Sequence, residues 1–442
     1  MQNYKNEIKA TFKLAYPVII GQVGHIMIGV ADSVMVGHVG VVPLAAAALA
    51  NRLFVLIMVI GMGMTMALTP LVAEAIGAKS PEQCGKVLQQ GMAISTIMGF
   101  ILAITVIAMA DTIPYLHQPP EVAQSAMSYL VILGASIIPF MLFQAFRQFS
   151  EGLSLMWPAM ILNIAANIWH IFLNWVFIYG HLGFPAMGLD GAGFSTLITR
   201  SVMAFALIAY IMKSRHYKPF LSAVFPIKID WKTIRTIFAI GTGSGLQYFF
   251  ESGAFAGSVI LMGWLGEVPL AAHQIAMNAI AITYMFGMGV SAAAAVRVGN
   301  AKGEQNLTGM RQAGFSAFLL SACIMLGFGV LFILFSHIIP RFYTTDQPVI
   351  EVAASLLIVA AFFQVSDGVQ VVGLGVLRGM ADVKIPTVIT FISYWIIGLP
   401  AGYLLAFPLG FRAAGIWAGL LMGLTASALL LFYRFHKKTQ FE

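Results

Sequence analysis

Three carboxylic acids lie inside long apolar stretches of this sequence, where an ionisable side chain is costly. Glu251 is the only charged residue in TIFAIGTGSGLQYFFESGAFAGSVILMGWLG, residues 236 to 266. Asp367 is the only one in residues 352 to 377, and Asp32 lies in the segment GVADSVMVGH. An acid buried in lipid marks a candidate functional site, because it can hold a proton, Na+ or an organic cation. Exchange of one cation for another on the same carboxylate is the chemistry that these residues indicate.

The residues next to two of these acids suit a cation site. Gln247 and Tyr248 precede Glu251 by four and three residues, so a helix would place all three on one face. Phe363 precedes Asp367 by four residues and brings an aromatic face beside the acid, which suits a lipophilic organic cation. We therefore predict cation binding at Glu251 and Asp367, with Gln247, Tyr248 and Phe363 lining a substrate cavity. The alternative is that the acids bond to neighbouring helices and only hold the bundle together.

A polar stripe runs through the segment NIAANIWHIFLNW. Asn163, Asn167, His170 and Asn174 are spaced by four, three and four residues, so they share one helix face. Amide groups in lipid are costly without partners. One interpretation is a polar wall of a substrate cavity, with Asp32 opposite as a further cation-binding acid. The other is hydrogen bonding between helices.

Other chemistry is not indicated. Arg200 lies in the middle of an apolar stretch, where snorkelling or a packing ion pair would explain it. No phosphate-binding GxxxxGK[ST] loop, HExxH metal motif or GxSxG elbow occurs, and Cys84 and Cys323 form no CxxC pair. We therefore expect no enzyme activity, no cofactor and no metal apart from Na+ at Glu251 and Asp367. The energy for transport would come from a Na+ or H+ gradient.

The composition requires a membrane. Hydrophobic residues make up 60% of the 442, and charged residues only 9%, against about 25% in a soluble domain. The mean hydropathy is +0.89. The formal charge of +7 is then explained by basic cytoplasmic loops, so no nucleic-acid partner is expected.

Charged and Pro/Gly-rich breaks divide the chain into twelve apolar runs long enough to span a bilayer. The predicted spans are 13–36, 44–73, 87–110, 122–146, 155–180, 188–212, 233–261, 268–296, 312–336, 350–377, 385–408 and 412–433. The first run follows three lysines and has no small-residue cleavage site, so we expect a retained helix. Twenty of the 24 Lys and Arg residues fall on the side of the two termini, and only Arg341 and Arg412 on the other. This bias predicts cytoplasmic termini.

The two halves of the sequence resemble each other. VGVVPLAAAALAN at 39 to 51 corresponds to LGEVPLAAHQIAMN at 265 to 278, and GMGMTMA at 61 corresponds to GMGVSAA at 287. The PLAA and GMG segments recur at the same offset of 226 residues. Six spans per half give a parallel repeat, which transporters use around a substrate site near the midplane. We predict an all-α integral membrane protein with an N-lobe at 1–212, a cytoplasmic loop at 213–232 and a C-lobe at 233–442.

Several segments together resemble the MATE (multidrug and toxic compound extrusion) family, and its NorM-like bacterial branch in particular. The segments are KLAYPVIIGQ, VADSVMVGHVG, the PLAA repeat, NIWHIFLNWVFIYG, QYFFESGAFAGSVILMGWLG and FFQVSDGVQVVGLGVLRGMADVKIP. The resemblance covers nearly the whole chain. It implies two six-helix lobes and export of cationic drugs driven by entry of Na+ or H+. Glu251, Asp367 and Asp32 match the family's acids of helices seven, ten and one, and Asn174 its asparagine of helix five. His170 and Phe363 depart from the asparagine and tyrosine of some relatives.

The sequence thus predicts a monomeric antiporter of the bacterial inner membrane that exports lipophilic or cationic small molecules. It would do so by alternating access of two lobes. The alternative of the same architecture is a flippase of lipids or lipid-linked substrates. An intramembrane enzyme is the third class, and it lacks a recognisable nucleophile or metal site.

Overall fold

The computed structural model describes residues 2–116, 118–221, 223–224 and 228–440. Within these ranges the regular elements are helices, and twelve of them, α1 to α12, are long and apolar enough to cross a membrane. They are α1 (Gln2–Gly37), α2 (Val41–Gly77), α3 (Pro81–Ala110), α4 (Pro120–Gly152), α5 (Trp157–Tyr179), α6 (Gly188–Lys213), α7 (Trp231–Leu265), α8 (Glu267–Gly303), α9 (Leu307–Leu334), α10 (Gln347–Gly379), α11 (Lys384–Ala406) and α12 (Arg412–Lys438). The predicted all-α multi-pass membrane protein is confirmed.

Most helices extend beyond the predicted apolar runs. The tenth, predicted at 350–377, is Gln347–Gly379, and the eighth, predicted at 268–296, is Glu267–Gly303. The helical backbone hydrogen bonds continue into polar residues at the ends of the helices, which a prediction from apolar runs leaves out. This extension matters below, because it places Arg378 inside α10.

Three helices are interrupted. Their segments are Val41–Thr65 and Leu68–Gly77 in α2, Pro120–Ala135 and Ile137–Gly152 in α4, and Lys384–Phe391, Ile392–Gly398 and Leu399–Ala406 in α11. Pro70 and Pro139 lie just after the breaks in α2 and α4, where each leaves the carbonyl four residues earlier without its helical donor. The middle segment of α11 is a π-helix, a form that is frequent at functional sites.

The segment between α6 and α7 is attached to α3. The side-chain amides of Gln89 and Gln90 donate to the carbonyls of Val224 and Lys228, at 2.8 and 2.7 Å. Asp230 precedes α7, and the hydroxyl of Thr233 donates to its carboxylate at 2.7 Å. This hydrogen bond holds the pKa of Asp230 below its usual value. Residues 222 and 225–227 of the predicted loop at 213–232 lie outside the described residues.

The contacts divide the chain into two compact units. The N-unit is Ile20–Gly245, and the C-unit is Met1–Ile19 with Leu246–Glu442. Both boundaries lie inside helices, α1 and α7, and not in the segment at 213–232. The lobe boundaries predicted from the sequence stay a prediction.

The first halves of α1 and α7 each pack on the repeat to which they do not belong. In the N-unit, a Cβ on Gly63 of α2 would lie 2.2 Å from the Cα of Gly245 of α7. In the C-unit, a Cβ on Gly289 of α8 would lie 2.3 Å from the side chain of Ile19 of α1. The pairs correspond through the repeat offset of 226 residues. Only glycine permits these approaches.

Candidate functional site

Glu251 is buried in the middle of α7 and faces a small cavity inside the C-unit. It is 5% exposed, and the hydroxyl of Tyr394 donates to its Oε1 at 3.3 Å. The hydroxyl of Tyr284 on α8 also interacts with this carboxyl. Tyr394 lies in the π-helical segment of α11 and is fully buried. Helices α7, α8 and α11 thus all contribute to the surroundings of the acid.

The cavity has room for about one water molecule. Three helices line it, through Gln247, Tyr248 and Glu251 of α7, Tyr284, Met288 and Ser291 of α8, and Val371, Leu374 and Arg378 of α10. The predicted common face of Gln247, Tyr248 and Glu251 is therefore present. The hydroxyl of Tyr248 contacts the sulfur of Met288 at 3.0 Å. Gln247 donates to the carbonyl of Val383 and the hydroxyl of Thr387, both at 3.3 Å, and its Oε1 has no partner in the described structure.

Asp367 lies in α10 of the same unit. It is 6% exposed and forms no hydrogen bond or ion pair with the described residues. Its carboxyl interacts electrostatically with that of Glu251, although it does not line the cavity. The C-unit therefore holds two buried acids that interact electrostatically, and cation binding at them stays a prediction.

Phe363 takes a different position from the one its spacing suggests. Its ring is 1% exposed and stacks on Trp417 of α12, with centroids 5.5 Å apart. It belongs to the apolar core of the C-unit. A role of this ring in binding a substrate stays a prediction.

Asp32 of α1 is the centre of a second polar cluster, inside the N-unit. Its Oδ1 lies 2.7 Å from Nε2 of His170 and accepts a hydrogen bond from Nδ2 of Asn174 at 2.7 Å. Nδ1 of His170 lies 3.2 Å from the hydroxyl of Thr199, and Oδ1 of Asn174 has no partner among the described residues. Both His170 and Asn174 are fully buried. The predicted pairing of Asp32 with the polar stripe of α5 is present.

The other half of the stripe also faces α1. A Cβ on Gly21 would lie 3.3 Å from Nδ2 of Asn163, and one on Gly24 would lie 3.2 Å from Nδ2 of Asn167. Asn167 itself donates to the carbonyl of Asn163 at 2.8 Å. The stripe therefore lies against α1, and hydrogen bonding between helices is present at His170 and Asn174. The interpretation as a wall of a substrate cavity stays a prediction.

Arg200 forms no ion pair with a carboxylate of the described residues, although it interacts electrostatically with Asp32. Its guanidinium donates to the hydroxyl of Ser136 at 2.7 Å. It also lies over the rings of Phe54 and Phe140, at 5.0 and 4.8 Å from their centroids. Such aromatic contacts stabilise a partly buried cation. Packing against aromatic rings and a hydroxyl therefore explains Arg200, in place of the snorkelling or ion pair that the sequence suggested.

Sequence reasoning missed Tyr284, Tyr394 and Arg378. Each comes from a different helix than Glu251, so no short spacing connects them with it. A count of basic residues places Arg378 on the side of the termini because it lies close to loop residues, yet it is 7% exposed and lines the cavity. Within the described ranges, no group of three or more His, Cys, Asp or Glu residues could hold a metal ion. A Na+ at Glu251 would therefore be bound mainly by hydroxyl and amide oxygens besides the carboxylate.

Known proteins resemble this chain over nearly its whole length. The sequence model of the MatE family matches residues 17–176 and 244–404. The multidrug resistance protein NorM of Photobacterium profundum is 33% identical, over 98% of this chain and 96% of the relative. NorM of Vibrio cholerae is 34% identical, over 99% and 96%. The crystal structure of the eukaryotic MATE transporter AtDTX14 has the same fold, with a TM-score of 0.88, 21% identity and coverage of 99% and 98%.

The match to the family covers both sequence repeats, and the NorM proteins align from end to end. The predicted family is therefore confirmed. This protein belongs to the MatE family and to its NorM-like branch.

Proposed function

We propose that this protein is a secondary active antiporter that exports lipophilic and cationic small molecules in exchange for Na+ or H+. The observation that carries the proposal is Glu251, a carboxyl buried in the middle of a spanning helix. Its surroundings are hydroxyls, a second acid, Asp367, and one arginine, Arg378, with which it forms no ion pair in the described structure. The names of the NorM relatives, which are multidrug resistance proteins, support small molecules as substrates.

Competition for one carboxyl would couple the two fluxes. A buried carboxylate is costly without a countercharge, so Glu251 strongly favours a bound cation. A coupling ion and a cationic substrate can each neutralise it, but not both at once. Alternating access of an N-lobe (1–212) and a C-lobe (233–442), joined by 213–232, would present the carboxyl to one side of the membrane at a time.

Asp32 is the third acid that we assign to cation binding, after Glu251 and Asp367. His170 and Asn174 contact the same oxygen of its carboxylate, which leaves the other oxygen for a cation. Asn163 and Asn167, on the same face, are candidates for contact with a substrate.

We place the protein in the bacterial inner membrane as a monomer, with both termini in the cytoplasm. The support for this orientation is the distribution of Lys and Arg along the sequence. No cofactor other than the coupling ion is proposed.

The test is transport in liposomes. Purified protein is reconstituted, and efflux of a fluorescent lipophilic cation is followed under an imposed Na+ gradient or an imposed pH gradient. Glu251→Gln and Asp367→Asn keep the size of each side chain but remove its charge. Glu267→Gln is the matched control, because Glu267 is an exposed acid at the start of α8.

We expect one of the two gradients to drive efflux in wild type and in Glu267→Gln. Neither gradient should drive efflux in Glu251→Gln or Asp367→Asn. Normal coupled transport in both acid variants would contradict the proposal. Flipping of a labelled lipid without export of the organic cation would support the flippase instead.

A further inference from the structure

Arg378 is a buried cation that lacks a full set of partners. It lies in the last turn of α10 and is 7% exposed. Its guanidinium interacts with the hydroxyl of Tyr248, but its Nε has no hydrogen-bond partner in the described structure. Arg147, Arg297 and Arg434, by contrast, each pair with a carboxylate. A buried guanidinium with an unfilled donor is costly. Its position therefore calls for an anionic partner.

The cavity supplies one candidate for that partner. Of the nine residues that line it, Arg378 is the one cation and Glu251 is the one carboxylate. The two interact electrostatically across a space of about one water molecule. Among the other groups near them, Tyr248, Tyr284 and Tyr394 are neutral hydroxyls and Asp367 is the other acid. Arg378 is thus the fixed positive charge that faces the proposed cation site.

We propose that Arg378 displaces the coupling cation from Glu251. The inference rests on the proposed function and adds a residue to it. While a cation occupies Glu251, two positive charges face each other across the cavity. When the cation leaves, the guanidinium becomes the countercharge of the carboxylate and fills its free donor. Arg378 thereby weakens cation binding and speeds release.

The size of the effect follows from Coulomb's law. If the two charges are taken to be roughly 8 Å apart, at an effective permittivity of about 20, each changes the affinity of the other group for its counterion roughly thirtyfold. The hydroxyls and any water around the two charges raise the effective permittivity, and a value of about 30 at the same separation gives about a tenfold change. Removal of the charge should therefore raise the cation affinity about tenfold and slow the maximal rate of transport.

A purely structural role makes different predictions. A basic residue in the last turn of a helix also stabilises the negative end of the helix dipole. Loss of that role would lower protein stability and the amount of active transporter, and it would leave the cation dependence of the remaining activity unchanged. The shift in cation dependence is therefore the decisive measurement.

The variants are Arg378→Gln and Arg378→Met, which remove the charge, and Arg378→Lys, which keeps it. Arg235→Gln is the control, because Arg235 is an exposed arginine of α7. Two quantities are measured in proteoliposomes, the concentration of the driving cation at half-maximal transport and the maximal rate. A readout independent of transport is labelling of Glu251 by a carbodiimide, quantified on its peptide by mass spectrometry across pH and Na+ concentration.

We expect the half-maximal cation concentration to fall about tenfold in both neutral variants, with a maximal rate at least threefold lower. Arg378→Lys and Arg235→Gln should stay within about twofold of wild type. If the half-maximal concentrations and the labelling were unchanged in the neutral variants, the role of Arg378 would be overturned and the proposed function would stand. If wild type itself showed neither cation-driven transport nor cation-dependent labelling, the proposed function would fail first.

Discussion

Removal of the hydroxyl of Tyr394 should change how tightly Glu251 holds its cation. Tyr394→Phe keeps the ring, which is fully buried and packs beside Phe255, so the fold of α11 should be preserved. The variant loses one hydrogen bond to Oε1 of Glu251. This makes it a small and local perturbation of the proposed cation site.

The geometry gives the magnitude. A hydrogen bond to a charged acceptor contributes about 1.5–3 kcal/mol. The separation of 3.3 Å in this pair is long for an O–H donor, so the lower value applies. About 1.5 kcal/mol corresponds to roughly a tenfold change in affinity.

The sign of the change depends on the coupling ion. The hydroxyl stabilises the carboxylate over the carboxylic acid, so its loss should make Glu251 bind a proton about tenfold more tightly. For Na+, the hydroxyl oxygen is a second ligand, and its loss should weaken binding about tenfold. The direction of the shift thus identifies the ion.

The assay is ion-driven efflux in proteoliposomes, titrated with protons and separately with Na+. Tyr403→Phe removes a hydroxyl from an exposed position of the same helix and serves as the control. A shift of less than about twofold for both ions in Tyr394→Phe would refute the reasoning, because the hydroxyl would then not act on the coupling carboxyl.

Two further predictions concern stability, measured by thermal unfolding in detergent. Arg147→Met should destabilise the protein by about 3–5 kcal/mol, because it leaves buried Glu151 without its partner at 2.6 Å, and Arg147→Met with Glu151→Leu should recover most of that loss. An equal or larger loss in the double variant would contradict this explanation. Asp382 lies between α10 and α11, where burial raises its pKa but the hydrogen bonds from Arg434 and Lys438 outweigh burial and hold the pKa below its usual value. A carboxyl whose pKa is lowered by folding stabilises the fold at pH values above its unfolded-state pKa, and this stabilisation is lost as the pH falls through the lowered pKa. Asp382→Asn should therefore destabilise the protein at pH 7 and progressively less below about pH 4. An equal loss of stability in Asp382→Asn at pH 7 and below about pH 4 would contradict the role of the Asp382 carboxylate.

The sequence predicted the features that depend on local periodicity. Twelve spans follow from apolar runs, because a helix must satisfy its own backbone in lipid. The shared face of Gln247 and Glu251 and the stripe that includes His170 follow from spacings of three and four residues. In both cases the structure places the residues on one face, since the helix is regular there.

The parts that could not be predicted come from other helices. Tyr394 reaches Glu251 across 143 residues of sequence, from a π-helical segment that no spacing reveals. Phe363 stands next to Asp367 on its helix but stacks on Trp417 of α12. Arg378 falls at the end of an apolar run, where a count of basic residues assigns it to a loop. Partners of this kind depend on how helices pack, which one sequence does not contain.

The close contacts of Gly63 with Gly245 and of Gly289 with Ile19, each between the two sequence repeats, have a consequence for biosynthesis. The first half of α1 is completed by α8, whose Gly289 is about 270 residues later than Ile19. At roughly 5–20 residues per second, α8 leaves the ribosome about 15 to 50 s after α1. A nascent chain that ends after α6 has α2 in the bilayer with Gly63 still uncovered, because Gly245 has yet to be made. Neither half of the gene therefore encodes a complete folding unit, and expression of residues 1–212 alone should give a polypeptide that the cell degrades unless 213–442 is supplied with it.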